Sequence, residues 1–111
     1  MQLHNLENRT NRREEIETDL TNFAEQLKTS NIKIVFVTTP VTAGYYKFCN
    51  KKILDQNTNF INDLCKKYNA VYLNFFVDKR FILNDFYDND HLKNNGANKL
   101  SKLINDTLTK H

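Results

Sequence analysis

Residues 32–39, IKIVFVTT, are apolar or β-branched at every position except Lys33. A strand with one wet face alternates polar and apolar side chains. This run does not, so it reads as a strand covered on both faces, as parallel strands are. A second, shorter run, Ala70, Val71, Tyr72, Leu73, Asn74 and Phe75, has the same character. Parallel neighbours cannot be joined by a hairpin; they need a crossover of a dozen or more residues, usually a helix. That requirement commits the chain to an α/β fold.

The residues between and around the two runs supply the helices. Ile53, Leu54, Phe60, Ile61, Leu64 and Tyr68 recur on one helical face, with Asn69 as the stop. Upstream, Ile16, Leu20, Phe23, Ala24 and Leu27 form another helical face from Asn11 onward. There Glu14, Glu15 and Glu17 suit the positive end of the helix dipole, and Thr29, Ser30 and Asn31 break the pattern. Downstream, Ala97, Leu100, Leu103, Ile104 and Leu108 mark a last helix that Asn94 or Asn95 could cap. Residues 1–10 read as a flexible lead-in and residues 41–46 as a loop. The predicted order is αβαβα with a right-handed crossover. Phe60, Phe75, Phe76 and Phe81 are assigned to the core.

Composition excludes several classes. No stretch approaches the ~20 apolar residues of a membrane span, and no signal-peptide pattern opens the chain. A net charge of +3 is too small and too evenly spread for a nucleic-acid surface. Cys49 and Cys65, placed at either end of the middle helix, would lie about 24 Å apart at ~1.5 Å per residue. A disulfide needs Cα atoms within roughly 7 Å, so both read as small core residues.

In open α/β sheets, ligands gather where loops leave the carboxyl ends of the strands. One such loop carries Thr39, Pro40, Thr42, Gly44, Tyr45 and Tyr46. The other carries Asp85, Asp88, Asp90 and His91, in the stretch NDFYDNDHLKNNGA. His91 is the central histidine; His4 and His111 sit at the chain ends. An imidazole titrates near neutrality, and a carboxylate on one ring nitrogen fixes its tautomer and favours its protonated form. Two other readings compete. One is a solvated acidic loop of Asx turns leading into a helix. The other is a metal site, for which a second histidine is missing and adjacent Asp90 and His91 should point apart. No metal and no cofactor is expected.

The D-x-x-H pattern of Asp88 and His91, followed by Leu92 and then Gly96-Ala97 at the head of an amphipathic helix, resembles the last motif block of the SGNH (GDSL-type) hydrolases. Some branches of that family end D-x-D-H-L-N-x-x-G-A; here Lys93 stands in place of the asparagine. Val35, Phe36, Val37, Thr38, Thr39, Pro40 and Val41, with tyrosines downstream, resemble the preceding block. The resemblance covers residues 14–108. It implies the C-terminal half of a three-layer, flavodoxin-like domain, with all 111 residues belonging to that one part. It also implies ester hydrolysis or acyl transfer, with His91 as general base and Asp88 as its orienting partner. Thr39, Tyr45 and Tyr46 are candidates to touch an acyl-ester substrate, carbohydrate- and lipid-linked esters among them.

The chain departs from the family where the nucleophile should be. No G-D-S block occurs in these 111 residues, nor the G-x-N-D block that supplies oxyanion donors, and the serines are Ser30 and Ser101 alone. The alternative is therefore a non-catalytic binding or assembly module that keeps the fold. Two parallel strands also make a narrow sheet, marginal alone in water. The chain is expected to self-associate, or to pair with a missing N-terminal half, through a sheet edge.

Overall fold

The computed structural model describes residues 2–110, with side chains from residue 12 onward; Met1, His111 and the side chain of His4 lie outside the described residues. Helix α1 (Gln2–Thr29) is followed by strand β1 (Val35–Thr38), helix α2 (Ala43–Phe48), helix α3 (Lys51–Tyr68), strand β2 (Val71–Asn74) and helix α4 (Asn94–Thr109), with a 3₁₀ turn at Leu83–Asp85. Helix and strand are thus mixed as expected. The two strands form one sheet in the order β1-β2. Val71 N–H donates to Ile34 O and Phe75 N–H to Thr38 O, four residues further along both chains, which is the register of a parallel pair.

The helix ends follow from local chemistry. Asn31 and Asn69 have positive φ, 61° and 54°. Ile32 N–H then reaches back to Leu27 O (2.9 Å), and Ala70 N–H to Cys65 O (2.9 Å). These are Schellman-type closures, with asparagine in the left-handed position that most residues avoid. They also shorten the strands relative to expectation. Because the Ile32 N–H is spent on the helix end, β1 starts at Val35.

Two compact units divide the chain, Met1–Phe36 with Asp55–Tyr72 and Val37–Leu54 with Leu73–His111. In the first, Ala24, Ile34, Leu64 and Tyr68 form a buried cluster, with Leu20, Leu27, Phe36 and Phe60 packed against it. These are largely the residues that helical spacing and the strand run nominated. In the second, Leu73, Phe75, Phe81 and Phe86 are buried, Pro40 is fully enclosed, and Phe75 meets Phe81 edge-on at 6.3 Å. Helix α4 packs on the 3₁₀ turn. Phe60 and Phe76, assigned to the core, are half-buried.

Four expectations are corrected. Helix α1 is drawn back to Gln2, through the residues expected as a lead-in, so Glu14, Glu15 and Glu17 lie mid-helix rather than at its positive end. Residues 43–48 are helical, not loop, because Thr42 Oγ1 accepts from Tyr45 N–H and caps a short helix. Cys49 closes α2 instead of sitting on α3, and both cysteines are free and half-buried. The apolar run is also incompletely covered: Ile32 is 50% and Val37 39% exposed.

Candidate functional site

The segment between β2 and α4 is built by successive side-chain-to-backbone closures. Asp78 accepts from Arg80 N–H and from its guanidinium, which holds the Asp78 carboxyl below its usual range. Asp85 is the buried anchor of the segment. Its carboxylate accepts from Ile82 N–H (2.9 Å), Lys99 Nζ (2.5 Å) and Asn95 Nδ2 (3.3 Å). The Lys99 hydrogen bond keeps Asp85 ionised below the ordinary carboxylate value. Its carbonyl accepts from Lys93 N–H (2.8 Å), which starts α4.

The cap of that helix differs from expectation. Lys93 occupies the N-cap without a side-chain hydrogen bond, and Asn94 and Asn95 lie inside the first turn. The Asn95 amide is used on Asn84 O and Asp85 instead. Gly96 has a close-approach role. A Cβ there would meet Asp85 Cβ and Leu92 Cδ2 at 3.0 Å, and the Asp85 carbonyl oxygen closer than real Cβ atoms come.

Between these anchors the chain makes a small hairpin. Phe86 and Leu92 form an isolated antiparallel bridge, and Tyr87 N–H donates to His91 O at 2.8 Å. At its tip, Asp88 Oδ1 accepts from His91 N–H (2.9 Å) and Asp90 N–H (3.2 Å). His91 Nδ1 lies 2.8 Å from Asp88 Oδ1, 3.1 Å from Asp88 Oδ2 and 3.1 Å from Asp90 Oδ1. Facing only carboxylate oxygens, Nδ1 carries the proton and donates, which leaves Nε2 as the basic nitrogen of the neutral ring.

The electrostatics agree with that geometry. The Asp88 hydrogen bond, then the charges of Asp88 and Asp90, raise the His91 pKa above its ordinary value. The His91 hydrogen bond lowers that of Asp88. Both side chains are solvent-accessible, His91 at 71% and Asp88 at 49%, so the ring is open to a reacting partner.

The Asx-turn reading and the imidazole-partner reading therefore describe the same carboxylate. Asp90 and His91 do not point apart as expected, since the Asp90 carboxylate reaches the same ring nitrogen. Among the described residues, Asp88, Asp90 and His91 bring ligand-type atoms within 4.8 Å of one another. The Asp88 carboxylate bonds both the ring and backbone N–H groups, while the Asp90 carboxylate reaches the ring.

The loop after β1 touches this hairpin through Thr42, which is buried and bonds Asn89. Thr39 is exposed. Tyr46 packs edge-on against Phe76 at 6.2 Å and carries Lys51 Nζ 3.8 Å above its ring. A cavity of about 630 Å³ lies beside Asp88, walled by Thr42, Asn84, Tyr87, Asn89 and Lys93; Thr39, Tyr45 and Tyr46 do not line it.

Lys99 was missed in the sequence, and Asp85 and Thr42 were placed in their loops without a role. Lys99 carried a signal, being a lysine three residues after Gly96 beside the apolar positions of α4. Thr42 carried another, a hydroxyl directly before a short helix. No protein-family model, curated protein or solved structure matches the chain.

Proposed function

We propose that the chain supplies the histidine and aspartate of a Ser-His-Asp triad in an ester hydrolase or acyl transferase of SGNH type. The observation that carries this reading is the contact of Asp88 with His91 Nδ1 at 2.8 Å in a solvent-open loop. A general base needs a free, basic Nε2 and a fixed ring, and an Nδ1–carboxylate bond provides both. Neither serine of the chain is a candidate partner: Ser30 follows α1, ahead of the start of β1, and Ser101 lies two turns into α4. The nucleophile and oxyanion donors are assigned to chain outside these 111 residues, in a three-layer flavodoxin-like domain of which this is one part.

The same reading extends to assembly. The strands have only each other as neighbours among the described residues, and Val37 on β1 is 39% exposed. Further strand-bearing chain, from the missing half or a second copy, would pair with that sheet. Sedimentation at micromolar concentration tests this part, and a stable monomer would contradict it. Among the described residues, no helix is long and apolar enough to cross a membrane.

The gene decides the catalytic part. An in-frame G-D-S block upstream is expected, and the protein that includes it should label with a fluorophosphonate in a manner abolished by His91→Ala. The 111 residues alone should show no ester turnover above a His91→Ala control. Absence of the block, or labelling indifferent to His91, would favour a non-catalytic binding or assembly module instead.

A further inference from the structure

We infer that Thr42 is a positioning residue that acts through Asn89 on the Asp88–His91 pair. The inference rests on reading that pair as the working part of the site. Two loops far apart in sequence meet at one doubly bonded contact. Thr42 N–H donates to Asn89 O at 2.9 Å, and Thr42 Oγ1 donates to Asn89 Oδ1 at 3.0 Å. Asn89 directly follows Asp88, so both of its bonds fix the backbone from which the Asp88 carboxylate projects.

The rest of the hairpin has few other constraints at that point. Its tip residues, 87–91, are exposed, and apart from the two bonds to Thr42 they bond to one another. Thr42, by contrast, is buried and itself held. Its Oγ1 accepts from Tyr45 N–H at 3.2 Å, and Pro40, two residues earlier, is fully enclosed. A buried residue therefore grips an exposed turn through one backbone and one side-chain bond. A hydroxyl that accepts from the Tyr45 N–H and donates to the Asn89 side-chain oxygen has one orientation available, so threonine or serine is required here. Charged groups around the imidazole are Asp88 and Asp90 on its own loop, with Lys93 on the cavity wall that Asp88 shares.

The test is NMR on the full chain carrying Asn89→Ala, Thr42→Val or Thr42→Ser, reading the His91 titration and the exchange rate of its backbone N–H. Asn89→Ala and Thr42→Val should each move the His91 titration down toward the ordinary imidazole value. Each should also speed the exchange about tenfold, the factor for one lost hydrogen bond of ~1.4 kcal/mol. Thr42→Ser should retain wild-type behaviour. Thr42→Val also strips the cap of α2, whereas Asn89→Ala leaves the Thr42 Oγ1 acceptor for Tyr45 N–H in place, so this exposed change is decisive even where Thr42→Val fails to fold. An Asn89→Ala protein with wild-type titration and exchange would overturn the inference. A wild-type His91 that titrates at its ordinary value would instead remove the pair itself, and these readouts need no ester turnover to be measured.

Discussion

Replacing Gly96 with alanine sets two opposed effects against each other, and the structure says which wins. Alanine is the better helix former by ~1 kcal/mol in a helix interior. Gly96 is the third residue of α4, where that gain is smaller. Against it stands the new methyl, which would lie 3.0 Å from Asp85 Cβ and from Leu92 Cδ2 and closer still to the Asp85 carbonyl oxygen. Leu92 can rotate away. The Asp85 carbonyl cannot, because it accepts from Lys93 N–H at 2.8 Å while its side chain is tied to Lys99 and Ile82. Relief therefore means moving the first turn of α4 off the 3₁₀ turn. Overpacking of this kind costs ~1–3 kcal/mol, and losing the Lys93 bond adds ~1 kcal/mol. After the propensity gain, Gly96→Ala should destabilise the protein by about 2 kcal/mol, a fall in Tm of roughly 8 °C for a chain of this size. Urea unfolding followed by circular dichroism should show a lower midpoint with an unchanged slope. A Gly96→Ala protein as stable as the parent would refute the close-approach argument.

Asn69 holds φ at 54° to close α3, so Asn69→Val should cost about 1–2 kcal/mol while Asn69→Gly is tolerated; equal urea midpoints for parent and valine variant would contradict this. The His91–Asp88 tie should depend on pH with a definite sign. His91 is raised, so its contribution is complete below the ordinary imidazole value of 6.5 and fades as pH climbs through the raised one. Asp88 is lowered, so its contribution is complete above 3.8 and fades as pH falls through the lowered value. Exchange of the Tyr87 N–H, corrected for intrinsic rate, should thus be slowest between pH 3.8 and 6.5, and Asp88→Asn should flatten the alkaline limb. A His91 titrating below its ordinary value would reverse that sign.

Much of the fold was legible because periodicity is a long-range signal. Helices α3 and α4 run for four turns or more, and their apolar faces repeat often enough to be unambiguous. Helix α2 has six residues, fewer than two turns, so no period could appear; its evidence was the capping hydroxyl of Thr42. The run at residues 32–39 located β1 but overstated its length, since the composition of a segment does not reveal that Ile32 N–H closes a helix.

For the candidate site, the spacing of Asp88 and His91 was enough to bring them together. Nothing in that spacing distinguished Asp85, an aspartate in the same cluster, as the buried one. Its partners Lys99 and Asn95 come from α4, and a contact across that distance in sequence has no local mark. The choice of Asn94 or Asn95 as a cap failed for the same reason, because a buried acceptor took the Asn95 amide.

If His91 is a base held by Asp88, the tautomer of its neutral ring must show it. Long-range ¹H–¹⁵N NMR, recorded above the His91 titration and assigned with a His91→Asn variant, distinguishes the two ring nitrogens. A proton is expected on Nδ1, facing Asp88 at 2.8 Å, with Nε2 unprotonated. A ring protonated on Nε2 would have its basic nitrogen turned into the carboxylates and would contradict the catalytic reading.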